Sequence, residues 1–162
     1  MEVLGEYTPS IIKAFSEIDS NWSNYDALLI AGSHNPKDTE LLIGKIKEAR
    51  LYAKPFYGEC LAYQLAAIEY ARNVLGIKDA TSEEWGEGIF VVKKRKEGLN
   101  VGLKNGESYW NNFEVDLPEW RISGCFFIAQ YHASYQSSIK KPHKLIVEFL
   151  KYAKEYTMAS KS

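Results

Sequence analysis

The stretch that decides the fold runs from Lys54 to Gly76, "KPFYGECLAYQLAAIEYARNVLG". Its first part, "PFYGE", is short and apolar, as a buried strand is. After Cys60 the apolar residues fall at helical spacing, with Leu65, Ile68, Ala71, Arg72 and Leu75 in the pattern and Gly76 as the stop. A strand that becomes a helix this abruptly leaves little room at the turn. Gly58, two residues before Cys60, and Ala62, two residues after it, keep that turn tight. This is the layout of a nucleophile elbow, with Cys in place of Ser and Ala62 in place of the second Gly. A helix N-terminus beside the sulfur predicts a stabilised thiolate with a lowered pKa. The backbone N–H of Leu61 is placed to hold an oxyanion. A second reading stands beside this one: free cysteines are among the most buried residues, and a Gly-x-Cys-x-Ala string also suits a thiol that only packs.

Outward from the elbow, strands and helices alternate. "EVLG" is a short strand candidate, and "SIIKAFSEI" is helical with Ile11, Ile12, Phe15 and Ile18 on one stripe. "DALLIAG" (26–32) is a continuous apolar run closed by glycine, as buried parallel strands are. "SHNPKD" is a loop. "DTELLIGKIKEARLYA" is a helix with an Asp start and Leu41, Leu42, Ile46 and Ala49 inward. This order predicts an α/β domain with a parallel sheet and crossover helices. After Ala80 the pattern changes. "GIFVVKKR", "LNVGLK", "ESYWNNFEVD", "WRISG" and "CFFIAQYH" read as strands separated by turns. The tail "PHKLIVEFLKYAKEY" reads as an amphipathic helix with Pro142 near its first turn.

The bulk numbers exclude several classes. The chain has 162 residues, enough for one domain spanning 1–162 with its own core. It carries 20 basic and 21 acidic residues for a formal net charge of −1, so no broad field attracts nucleic acid or a membrane surface. The run Lys93–Lys96 is the one dense basic cluster, and it reads as a solvated strand end. No apolar run reaches membrane-spanning length. No signal peptide is visible, and two cysteines make no disulfide framework, so a cytoplasmic, reducing location is expected.

A cysteine nucleophile needs a base. His132 ends the run "FFIAQYH", so it is expected at a strand end on the sheet's active edge, where ligands gather in open α/β folds. His34 lies in the loop after "ALLIAG" and reads as an approach to Cys60 or as a loop polar residue with no role. His143 opens the last helix and reads as structural, and Cys125, in "GCFFIA", as packing.

These stretches resemble the class I glutamine amidotransferase domain of CTP synthases. The likeness covers most of the chain and is strongest from Tyr25 to Trp85. "CLxxQLAxIEYARNVLG" is the segment specific to CTP synthase within the class, and "EVLGEYT", "DALLIAG" and "IAQYH" look like its opening strand, its second motif strand and its catalytic histidine segment. The resemblance implies a flavodoxin-like, three-layer α/β/α fold with a central, mostly parallel sheet. It implies hydrolysis of glutamine or a related γ-glutamyl amide, with Cys60 as nucleophile, His132 moving protons, and a γ-glutamyl thioester between. Gly32, Ser33, Leu61, Gln64 and Glu84 fall on substrate-holding positions, with Glu84 meeting the α-ammonium. It implies a small-molecule substrate with no cofactor and no metal, and a synthetase or regulated partner as a separate protein, because the synthetase domain of CTP synthase is absent from this sequence.

The departures are as specific. The family has His-Pro-Glu where this chain has His132-Ala133-Ser134, so the triad acid is missing and Ser134 is left as a neutral partner for His132. The Gly-Gly-Phe-Gly oxyanion loop is here "AGSHN", with Gly32 kept. An Arg-Tyr pair appears as Asn112-Phe113. The span between "AFSEI" and "YDALL" is short enough to have lost one strand of the sheet. Two functions follow: a diverged, stand-alone amidotransferase-like hydrolase, or an inactive relative that binds a small amino-acid-like ligand or a regulatory partner. A thiol sensor at Cys60 is a third, weaker reading.

Overall fold

Three short parallel strands make the centre of the structure, a computed structural model that describes residues 26–160. They are β1 (Leu28–Ile30), β2 (Phe56–Glu59) and, far along the chain, β8 (Phe126–Ala129), in the order β1-β2-β8. Leu28 pairs with Phe56 and Ile30 with Gly58, while Phe56 pairs with Phe126 and Glu59 with Ala129. All of β1 and β2 is buried, which explains why these strands read as continuous apolar runs rather than alternating ones.

Helices cover both faces. α1 (Thr39–Leu51) connects β1 to β2, and α2 (Leu61–Asn73) leaves β2 directly. Ile43, Ile46 and Ala49 of α1 and Leu65, Ile68 and Ala71 of α2 close over Leu28, Ile30, Phe56 and Ile128. On the other face, α3 (Lys144–Ser160) lays Ile146, Phe149, Leu150 and Ala153 against Ala27, Leu29 and Tyr57. The pleat of β2 thus sends Phe56 and Gly58 to one layer and Tyr57 and Glu59 to the other. This is the three-layer α/β arrangement with a mostly parallel sheet that the sequence predicts.

The later strands build a second edge. β3 (Ala80–Ser82) pairs parallel with β4 (Ile89–Lys94), and β4 pairs antiparallel with β7 (Phe113–Val115). β5 (Asn100–Lys104) and β6 (Glu107–Asn111) form a hairpin. Asn105 and Gly106 at its tip both have positive φ, 53° and 81°, the Asn-Gly signature of a tight hairpin turn. α2 stops at Asn73, and Gly76, at φ 77°, is the left-handed residue that lets the Ile77 N–H return to the Ala71 carbonyl at 2.9 Å.

Some expectations fail. "WRISG" is no strand: the chain turns at Trp120, whose N–H returns to the Leu117 carbonyl, and the Arg121 side chain bonds the Pro118 and Trp120 carbonyls. Leu41 is 48% exposed, because it lies about 140° around α1 from Ile46. Asp38 starts α1 but makes no side-chain cap. The expected strand "EVLG" and helix "SIIKAFSEI", and the shortened span after them, lie outside the described residues.

Candidate active site

The elbow is real in the backbone. Cys60 has φ 50° and ψ −103°, a conformation that non-glycine residues rarely adopt and that costs on the order of 1–3 kcal/mol. It is held there because its N–H bonds the Ala129 carbonyl at 2.9 Å and its carbonyl accepts from Gln64 N at 3.2 Å. Crowding at the turn is as expected. A β-carbon on Gly58 would stand 2.7 Å from Ala62 Cβ, 2.9 Å from Phe56 Cζ and 3.3 Å from Ile128 Cγ2.

The thiol is buried and meets two polar groups from outside its own helix. Gln130 Nε2 donates to Sγ at 3.6 Å, and Sγ lies 3.7 Å from the Trp110 carbonyl. The hairpin thus folds down over the elbow. Burial pushes the Cys60 thiol up to about 11. The Leu61 backbone N–H pulls the other way, the charges of Glu59 and Glu84 add to the rise, and Gln130 lowers it. The predicted thiolate is therefore corrected: one helix N-terminus does not outweigh a dry pocket with two carboxylates nearby. At neutral pH the thiol is held protonated, so attack by its sulfur would need a base.

His132 supplies a ring at the right place. It follows β8 and heads a short 3-10 turn, Ala133–Gln136, and its N–H bonds the Ser108 carbonyl of β6 at 2.7 Å. A β-carbon built on Gly32 would meet both groups at once, 2.7 Å from His132 Cε1 and 3.2 Å from Cys60 Cβ. The C-terminal ends of β1, β2 and β8 therefore bring Gly32, Cys60 and His132 to one point. His132 Nε2 is buried with no hydrogen-bond partner among the described residues. Its other nitrogen, Nδ1, faces Glu59 Oε2 at 3.6 Å.

The remaining predicted residues divide. Gln64 is buried; its amide donates to the Phe113 carbonyl at 3.2 Å and to Gln130 Oε1 at 3.3 Å, so it reaches the sulfur through Gln130. Glu84 is exposed by its surface area, yet its charge acts on Cys60; partial desolvation raises its carboxyl pKa, and His34 lowers it. The His34 ring is tilted against Trp110, centroids 4.8 Å apart, and lies 6.5 Å from the His132 ring, so the loop after β1 brings it near the cluster. The Ser33 hydroxyl is turned into its own loop on Asn35. Ser134 does not orient His132. Its N–H and hydroxyl both bond Glu59, each at 3.0 Å. Glu59, Tyr57, Gln130 and Trp110 are the site residues that sequence reasoning missed. A charged residue ending a buried strand next to the cysteine was the available signal for the first.

Away from this cluster, His143 bonds Glu107 at 2.8 Å and receives the Leu145 N–H, tying the start of α3 to β6. Cys125 is a buried thiol in the core. Among the described residues no group of His, Cys, Asp and Glu could hold a metal ion, and no helix is long and apolar enough to cross a membrane.

A family model described as "Glutamine amidotransferase class-I" matches residues 5–147. The chain belongs to the class-I glutamine amidotransferase family. Among its curated relatives it is similar to the CTP synthase of Methanoculleus marisnigri, 49% identical over 105 residues, covering 64% of this chain and 20% of that protein. It is 43% identical over 129 residues to the CTP synthase of Bdellovibrio bacteriovorus, covering 76% of this chain and 23% of the relative. It therefore spans about a fifth of the length of these relatives. In fold it resembles the glutaminase domain of Trypanosoma brucei CTPS with bound acivicin, at a TM-score of 0.64 and 19% identity, covering 81% of this amidotransferase chain and 72% of that one. The family match and the curated relatives place the chain among class-I amidotransferases related to CTP synthases, and the solved structure shows the shared fold.

Proposed function

We propose that this amidotransferase domain hydrolyses the side-chain amide of glutamine or a related γ-glutamyl amide, through Cys60 and His132. The convergence of a strained elbow cysteine, Gly32 and an unpartnered His132 Nε2 on one point carries this reading. His132 takes the thiol proton as sulfur attacks the amide carbon. The C–N bond then breaks, the imidazolium returns the proton to the nitrogen, and ammonia leaves behind a thioester. Water attacks the thioester, gives its proton to His132, and releases glutamate as Cys60 regains a thiol. The Leu61 N–H, with backbone of the Gly32–Ser33 loop, is the expected oxyanion support. Glu84 would meet the substrate ammonium, and Gln64 would act through Gln130. The chemistry uses no cofactor. Delivery of ammonia to a synthetase would take a partner outside the described residues.

One observation favours the second reading, a non-catalytic relative that binds a small amino-acid-like ligand or a regulatory partner: Gln64 is already bonded to Phe113 and Gln130. Intact-mass analysis after incubation with acivicin separates the two. A single adduct, lost in Cys60→Ala and blocked by excess glutamine, is the expected result. No adduct, with Cys60 still alkylated by iodoacetamide, sinks the hydrolase reading.

A further inference from the structure

This chain lacks the family's glutamate two residues after the histidine, yet a carboxylate still faces the histidine ring. It comes from Glu59, the residue before the nucleophile. Glu59 is 2% exposed and ends β2, where the pleat directs it to the α3 side together with Tyr57. A carboxylate in that place is costly unless its lone pairs are met. Oε1 accepts the Tyr57 hydroxyl and the Ser134 N–H at 3.0 Å, and Oε2 accepts the Ser134 hydroxyl at 3.0 Å. The remaining direction of Oε2 is toward His132 Nδ1, 3.6 Å away. Such contacts are often long in a resting site and tighten when substrate binds.

We infer that Glu59 is a relocated triad acid, a positioning residue that holds His132 with its proton on Nδ1 so that Nε2 is free to take the Cys60 proton. The inference rests on the hydrolase reading for its catalytic consequence. Three observations converge on it. Ser134, which replaces the family acid, supplies both of its donors to Glu59 and so aims the carboxylate. The Tyr57 phenol keeps its proton, because burial and the Glu59 charge drive its pKa far above the ordinary value, so it remains a donor. His132 Nε2, the atom that must accept, has no competing partner. The acid has thus moved from the turn after the histidine to the strand before the cysteine, while its target atom is the same.

The rival is a purely structural Glu59 that pins the 3-10 turn through Ser134. Two variants and two readouts separate them. In wild-type protein at pH 8, 15N spectra of His132 should show a protonated Nδ1 and a bare Nε2. Glu59→Gln should shift the ring toward the other tautomer or a mixture. Glutaminase kcat should fall about 10²- to 10⁴-fold with KM little changed. Adding Ser134→Glu to Glu59→Gln should recover at least about tenfold of that loss, which a structural pin cannot do. An unchanged tautomer in a folded Glu59→Gln protein overturns the inference. A misfolded Glu59→Gln protein leaves the wild-type spectrum and Glu59→Asp as the judges: a wild-type ring protonated on Nε2, or Glu59→Asp with wild-type kcat and a mixed tautomer, overturns it as well. If wild-type protein turns over no glutamine but the tautomer still depends on Glu59, the hydrolase reading fails and the positioning role stands.

Discussion

Gly32 lies against the edge of the His132 ring: a β-carbon there would stand 2.7 Å from Cε1 and 3.2 Å from Nδ1, and 3.2 Å from Cys60 Cβ. A methyl group at residue 32 can enter only by moving the imidazole or the elbow. Displacing a catalytic group by about 1 Å costs roughly a hundredfold in rate. Gly32→Ala is therefore expected to lower kcat by about 10² while leaving the thermal midpoint within a few degrees, since the loop it belongs to is largely exposed. Activity near wild type, measured as glutamate release, would show that His132 and Cys60 work without this close approach.

Two glycines should respond in opposite directions. At Gly58 an added β-carbon meets Ala62, Phe56 and Ile128 within 3.3 Å, all of them buried, so Gly58→Ala overpacks the elbow and is expected to cost about 1–3 kcal/mol. At Gly44, inside α1, an added β-carbon meets nothing within 4 Å. Gly44→Ala removes a helix-interior glycine and should stabilise by up to about 1 kcal/mol. Urea unfolding of both variants checks the pair, and a stable Gly58→Ala protein would contradict the tight-turn account of the elbow.

This contrast shows what the sequence could disclose. Gly58, Cys60 and Ala62 are legible because the turn demands small residues at fixed offsets, and that demand is local. The buried runs at 28–30 and 56–59 are legible because a strand covered on both faces has no polar side. Leu41 misled because a helix face is set by its neighbours, and one apolar residue at the wrong angle still looks amphipathic. "WRISG" misled because its alternation is as strand-like as any, while the chain turns at Trp120, whose N–H returns to the Leu117 carbonyl, and no described strand pairs with the segment. The site divides the same way. Cys60 and His132 announce themselves by their place at strand ends. Glu59 shows only as a charge ending a buried strand, and its use depends on Ser134 from a segment 75 residues away. The Cys60 pKa is also a property of the assembled pocket: a helix N-terminus is visible in sequence, and the burial that opposes it is not.

Glu69 carries a different kind of buried charge. Its carboxylate is fully buried on α2 and meets Arg50 of α1 in a two-pronged pair, with Nη2 to Oε1 at 2.8 Å and Nε to Oε2 at 3.0 Å, plus Asn73 at 3.3 Å. The hydrogen bonds to Glu69 raise the Arg50 pKa against the cost of its burial, so the guanidinium stays charged. Arg50→Ala would strand the carboxylate with one amide donor and should cost about 3–5 kcal/mol. Replacing both, Arg50→Met with Glu69→Leu, should cost clearly less, because no unpaired charge remains. Comparable losses in the single and double variants would show that the helices are joined by packing rather than by this pair.

The raised Cys60 pKa makes alkaline stability depend on one buried thiol. In the unfolded chain the thiol titrates near 9.0, and in the fold near 11, burial being the first cause. Between those values the native state keeps a proton that the unfolded state has lost. Folding stability therefore falls as pH rises across that window. The contribution is fully present below about pH 9 and lost by about pH 11. Two pH units correspond to about 2–3 kcal/mol. Cys60→Ala removes that loss, so urea midpoints of wild type and Cys60→Ala should diverge from pH 8 to pH 11, the wild type falling faster. Tyr57 and Cys125, also raised by burial, remain in both proteins and cancel in the comparison. Parallel midpoints would mean that the Cys60 thiol ionises in the fold as easily as in the open chain. The site would then hold a ready thiolate, with less need of a base at His132.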